Sequence, residues 1–328
     1  MKSLPTRTEL HAPGASIAIA RRETGLDLLR LLAMAVVAAQ HGLTAVGHYD
    51  WTVLTASGVT IGQFGVAIFC AISGWFAVGG DDPPLRWLAA RLVRLFPAYW
   101  ITTLFAFGLA IAMARPITLG LFISQMAGTG FFTHGWDLVN VVSWFISLIL
   151  LCYLLTTVAR WTTRPGLTMA LFCAGAALLV ALQLEVSLSR HVIAFTAAAM
   201  ARTYRRPQML LWLAVALVPL LAIQSSFIYA IAALPVLWLF RERVAVVSAL
   251  VATSAAYTYE FFLVHGIFLA GAAKLTGSAP LAIAIGLGCS LPAAVLVKRA
   301  AVLLTTAARS ILPIAMRSPG KPSVRKRA

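Results

Sequence analysis

Hydrophobic and polar positions alternate in blocks along this chain. Apolar runs at 26–46, 58–79, 95–114, 138–159, 166–184, 190–201, 208–222, 227–240, 244–271 and 279–304 are separated by short polar turns. A bilayer core takes roughly 20 apolar residues of helix, because lipid offers the backbone no hydrogen-bond partners. The pattern therefore predicts an all-α, polytopic helical membrane protein with about ten transmembrane helices. The run at 190–201 is the shortest, and 244–271 reads as one helix. In the second run Gly62, Gly65, Ser73 and Gly74 leave small surfaces on which helices can approach closely. Residues 117–133 are apolar but rich in Gly, Thr and Ser, so they suit a span, an interfacial helix or a re-entrant piece.

Composition agrees. Of the 328 residues 61% are hydrophobic and only 11% charged, too few polar groups to cover a soluble domain of this size. The formal charge of +16 would suit nucleic acid if it were gathered on one surface. Instead the basic residues sit in turns and in the tail, which points to membrane orientation and away from nucleic acid. If 117–133 does not cross, 22 of the 26 basic residues fall on one side, with both termini cytoplasmic. Only Arg115, Arg190 and Lys274 lie outside, and Arg30 lies within a span. A crossing at 117–133 would invert everything after it and spoil this asymmetry. The expected organisation is a cytoplasmic segment 1–25, a membrane-embedded domain 26–305 and a basic cytoplasmic tail 306–328, in the cytoplasmic (inner) membrane. Residues 31–39 could pass for a signal-peptide core, but cleavage after Ala39 would discard Arg30, so the first span is read as uncleaved. Cys70, Cys152, Cys173 and Cys289 all lie in apolar runs without paired or metal-like spacing, and no metal is expected.

Three ionisable residues interrupt the first span: Asp27, Arg30 and His41. Each costs roughly 2.5–3.5 kcal/mol well inside a membrane helix. Eleven helical positions bring Arg30 and His41 onto one face, roughly 16 Å apart along the axis. Asp27 stands one turn before Arg30, at ion-pair spacing. An interfacial Asp27–Arg30 pair with a packing histidine would use the same residues, as would a proton-coupled or substrate transporter. On the ten-span topology His41 and His265 lie at similar depth on different helices and could share one cavity. His48, His134 and His191 are expected at the outer surface as solvated residues, and His11 lies in the polar N-terminal segment.

The ordered set of motifs resembles the integral-membrane acyltransferase 3 family. Gly25-Leu26-Asp27-Leu28-Leu29-Arg30 followed by His41 is similar to its first-helix signature. Gly65–Phe69 with Ile72-Ser73-Gly74-Trp75-Phe76 resembles its second-helix stretch, and Arg91-Leu92-Val93-Arg94-Leu95-Phe96-Pro97 its arginine motif. Asn140 with Trp144-Phe145-Ile146-Ser147, and Thr258-Tyr259-Glu260-Phe261-Phe262-Leu263-Val264-His265, resemble two downstream patches. Many members carry a glutamate shortly after the Trp-Phe patch, where this chain has Leu148–Leu151. The resemblance implies transfer of an acyl group, acetyl foremost, from cytoplasmic acyl-CoA to a hydroxyl of a saccharide, lipid-linked glycan or similar acceptor. His41 would be general base or acyl carrier, and sequence leaves both open. Arg30, oriented by Asp27, would hold a carbonyl or anionic group. Arg91 and Arg94 would clamp the phosphates of the donor, although arginines before a span also satisfy the positive-inside rule. His265, Tyr259, Trp144 and Asn140 are the further candidates.

Overall fold

The computed structural model describes the backbone of residues 13–244 and 248–311, with the side chains of 24–244 and 248–307. His11 and most of the two terminal segments lie outside these residues. Every named element is helical, and one isolated bridge joins Val53 to Thr60. The α-helices are α1 (Pro13–Ala45), α2 (Ile61–Ala77), α3 (Pro84–Ala112), α4 (Leu119–Met126), α5 (Gly130–His134), α6 (Ser143–Trp161) and α7 (Pro165–Ala181). They continue as α8 (Ser189–Thr203), α9 (Met209–Leu217), α10 (Ile228–Glu242), α11 (Ala249–Ala255), α12 (Thr258–Leu275) and α13 (Ala279–Ile311).

The small residues of the second run set the centre of the bundle. A Cβ at Gly65 would lie 2.5 Å from the carbonyl oxygen of Ala33 on α1. One at Gly74 would lie 2.0 Å from that of Phe195 on α8. Glycine thus lets α2 lie backbone-to-backbone between α1 and α8, with α10 also against it. On the other side α12 and α13 pack together and against α1 and α3, while α6 bridges α3 and α7.

Five helical segments are long and apolar enough to cross a membrane by themselves: Thr24–Ala45, Pro84–Ala112, Ser143–Trp161, Ser225–Glu242 and Ala279–Ala307. Helix length and composition alone thus mark five spans among the described residues, fewer than the ten apolar runs. Part of the difference is length, since the apolar helices Ile61–Ala77, Pro165–Ala181 and Met209–Ala222 are shorter than 18 residues, and α8 shows a second source. Its 15 residues reach about 22 Å, short of a hydrocarbon core of about 30 Å. Yet Ser189 and every residue from His191 to Ala201 are buried. A helix surrounded by protein has no lipid contact to demand length or apolarity, so the shortest run in the sequence occupies the core.

Residues 117–133 form two short helices, α4 and α5, with a turn at Gly128 whose φ is 76°. Neighbouring side chains bond the backbone freed there. Trp100 Nε1 donates to the Met126 carbonyl at 2.8 Å, Ser147 Oγ donates to that of Gly128 at 2.8 Å, and the Tyr99 hydroxyl donates to that of Gln125. Irregular backbone at membrane depth needs such partners. Arg115 Nη2 and Asp137 Oδ1 meet at 2.9 Å, so the segment leaves and returns at the same place. Among the described residues this segment forms two short helices, neither long enough to span a bilayer core by itself.

The single helix expected over 244–271 is corrected. The run breaks into α11 and α12 at Ala256-Tyr257, and residues 245–247 lie outside the described ones. Apart from Leu250, residues 249 to 256 are small or β-branched, which keeps the run weakly apolar without keeping it continuous.

Candidate active site

The second-helix motif ends at a cavity of about 1100 Å³ between α1, α2, α3, α6, α12 and α13. Asp27 and Arg30 line it together, joined by an ion pair of 2.5 Å, with the Arg30 guanidinium 5.3 Å from the Phe76 ring centroid. Arg91 and Arg94 line it from α3. Arg91 is held in place, donating to the Phe76 carbonyl at 3.2 Å and lying over the Trp87 ring, while Arg94 is exposed. Lys298 reaches in from α13, near the Ala256 carbonyl and 4.3 Å over the Tyr257 ring. The arginine spacing read from the sequence thus delivers both residues to the cavity that holds Asp27 and Arg30. Tyr259 lines it too, its hydroxyl donating to the Leu95 carbonyl at 2.8 Å and tying α12 to α3.

Three aromatic rings also line the cavity: Phe69, Phe145 and Phe262. Phe145 and Phe262 have centroids 4.9 Å apart, and Phe262 lies 5.7 Å from the His265 ring. Beyond them His41 and His265 face each other with centroids 4.9 Å apart, tilted by 37°. The two histidines placed at similar depth from sequence do come together.

Their protonation follows from geometry. His265 Nδ1 lies 2.7 Å from the Phe262 carbonyl oxygen and 3.2 Å from that of Phe261. A carbonyl only accepts, so Nδ1 carries the proton, and in the neutral ring Nε2 is a bare acceptor. That Nε2 is buried with no hydrogen-bond partner among the described residues. One helical turn has therefore fixed the tautomer of His265 and left a basic nitrogen beside His41, which is itself partly exposed.

The remaining candidates lie elsewhere. Trp144 and Asn140 are buried where the chain enters α6, outside the cavity lining. Asn140 N donates to Gln125 Oε1 at 3.1 Å, and Trp144 packs 5.6 Å from Trp136 and 5.8 Å from His191. His191 corrects an expectation: it is completely buried, with Nε2 2.7 Å from Gln63 Oε1. Its position at the start of a short run suggested solvent, but α8 is enclosed by other helices. His134 is half-buried, 2.7 Å from Thr133 Oγ1, and His48 stacks on Trp51 at 4.4 Å.

Sequence reasoning gave no role to Phe69, Phe145 and Phe262, which look like any apolar residues of a run. Lys298, one of the basic residues counted only for membrane orientation, joins them from α13. Glu260, buried at 9% exposure in the cavity wall with Oε2 unpartnered, carried a usable signal as a carboxylate inside an apolar run.

Comparison with known proteins fits this arrangement. The acyltransferase domain model of the acyltransferase 3 family matches residues 23–223, which takes in the Arg30–His41 helix, the α2 motif, both cavity arginines and the Trp144 patch. No curated protein and no solved structure matches the chain. With more than half of its length inside that match, the chain belongs to the acyltransferase 3 family.

Proposed function

We propose that this protein is a ten-span O-acyltransferase of the cytoplasmic membrane, taking an acyl group, acetyl foremost, from cytoplasmic acyl-CoA. It passes that group to a hydroxyl of a saccharide or lipid-linked acceptor reached from the outer side. The observation that carries the reading is the paired histidines lying beyond a basic cavity, with three phenylalanine rings between. Arg91, Arg94 and Lys298 give the cavity a cationic mouth suited to donor phosphates. Arg30, steadied by Asp27, lies nearer the middle of α1 and suits a carbonyl or phosphate oxygen.

In the transfer step the acceptor hydroxyl loses its proton to an imidazole nitrogen of His41. Its oxygen bonds to the thioester carbonyl carbon, the carbon–sulfur bond breaks, and the imidazolium returns the proton to the departing thiolate. The bare Nε2 of His265 is available to support this: a small rotation of the neighbouring His41 ring would let it accept an N–H from His41 and turn the other nitrogen of that ring towards the acceptor. An acyl-histidine route would use the same pair, with His41 as nucleophile. The transporter alternative has no support from the family match.

The test is transfer of labelled acetyl from acetyl-CoA to membrane-associated glycan, with equal amounts of wild type and His265→Gln. Glutamine cannot carry both an N–H to Phe262 and a basic nitrogen to His41. Turnover should therefore fall at least tenfold while acetyl-CoA still binds. Unchanged turnover would remove His265 from the chemistry.

A further inference from the structure

At the end of α2 remote from the basic cavity lies a second polar cluster. Gln63 Oε1 accepts from two neighbours on α8, Arg190 Nη2 at 3.0 Å and His191 Nε2 at 2.7 Å. The amide oxygen only accepts, so His191 is protonated on Nε2 in its neutral form, and its Nδ1 is left bare. This Nδ1 belongs to a fully buried ring and has no partner among the described residues. Arg190 lies with its guanidinium 5.2 Å over the Tyr229 ring, and its Nε is also buried without a partner.

No ion pair among the described residues involves Arg190. The titratable groups around it are His191, Tyr229, Glu185 and Tyr49. The one carboxylate, Glu185, is already committed: its two oxygens accept from the backbone N–H groups of Leu188 and Ser189 at 2.9 and 2.7 Å. A largely enclosed guanidinium with no carboxylate on it is costly to keep, and an anion supplied from outside removes that cost.

The surroundings suit a ring-shaped polar ligand. Trp144 lies 5.8 Å from His191, Trp136 lies 5.6 Å from Trp144, and Trp136 is 51% exposed. A row of packed aromatic rings therefore connects the buried histidine to the surface. The helices that carry the two sites are tied one residue from each: Gly62 N, beside Gln63, donates to Oε1 of Gln40, beside His41, at 2.6 Å.

We propose that Arg190, Gln63 and His191 form the acceptor subsite, and that the acceptor carries an anionic group, carboxylate or phosphate, bound by Arg190. This rests on the acyltransferase reading. The bidentate face of the guanidinium takes the anion, His191 Nδ1 accepts a hydroxyl, and the half-exposed Trp136 covers a sugar face.

The protein in phosphatidylcholine nanodiscs is titrated with glucuronate, glucose 1-phosphate and glucose, followed by tryptophan fluorescence. Both anionic sugars should quench saturably, with the tighter of the two naming the anion, and glucose at least tenfold more weakly. Arg190→Gln should bring the anionic sugars down to glucose. Gln63→Glu, which places a carboxylate against Arg190 without removing it, should do the same, so a folding defect of one variant does not decide the matter. Equal binding of all three sugars, or anion binding unchanged in both variants, would overturn the proposal. A response to phosphatidylglycerol nanodiscs with none to either sugar would assign the cation to a lipid headgroup and overturn it too. Acetyl-CoA binding and turnover are read on the same preparation. Their loss with anion binding intact would strike the acyltransferase reading and leave this subsite standing.

Discussion

Removing the two arginines at the cavity mouth separates donor binding from membrane orientation, the two roles that sequence could not tell apart. Arg94 is exposed on the cavity, whereas Arg91 has one nitrogen on the Phe76 carbonyl and its plane on Trp87. A hydrogen bond to a charged group is worth about 1.5–3 kcal/mol net, and an exposed, screened site belongs at the lower end. Arg94→Ala should therefore weaken binding of coenzyme A by about tenfold. Arg91→Ala should cost a similar factor and also loosen the end of α2 that its contact holds. The residues are one turn apart and share a ligand, so their effects should not simply add; the double variant should lose between about tenfold and about a hundredfold. The assay is equilibrium binding of coenzyme A and dephospho-coenzyme A to the protein in nanodiscs, at about 0.1 and about 1 M salt, where the screening length falls from about 10 to 3 Å. Wild-type affinity should fall with salt, and the double variant should respond less. Undiminished affinity and an unchanged salt slope in a correctly inserted double variant would refute the reasoning and return both arginines to topology.

Other outcomes follow from the packing. Gly74→Ala would place a Cβ 2.0 Å from the Phe195 carbonyl oxygen, so α2 and α8 must separate; overpacking typically costs 1–3 kcal/mol, and the melting temperature in detergent should fall clearly. Phe262→Ala should open the aromatic layer between cavity and histidines, raising the rate with longer acyl-CoA chains relative to acetyl-CoA in a competition assay. Because Arg115 and Asp137 are ion-paired, single cysteines beside each should be labelled from the same face of intact membranes, and labelling from opposite faces would break the topology.

The sequence was most informative where chemistry is costly. Asp27, Arg30 and His41 stand out because lipid penalises them, and helical spacing alone predicted the Asp27–Arg30 pair that forms. His265 could be set at the depth of His41 by counting turns, and the rings are neighbours. The misreadings have a common cause. Hydropathy reports what a segment could tolerate, not what surrounds it. Thus α8 looked marginal while being the most enclosed helix, and His191 was assigned to solvent although it is fully buried. The break between α11 and α12 escaped notice because apolarity persists through it. Phe69, Phe145 and Phe262 became recognisable only when three distant runs were brought together around one cavity.

The central claim is that His41 performs the acyl transfer, and it is tested most directly by following labelled acetyl from acetyl-CoA in membranes holding equal amounts of wild type, His41→Ala and His41→Gln. Both variants should insert and bind acetyl-CoA normally, since His41 lies outside the residues lining the basic cavity proposed for the donor, and both should lose transfer. Substantial turnover by His41→Ala would contradict the account and make His41 a packing residue against His265.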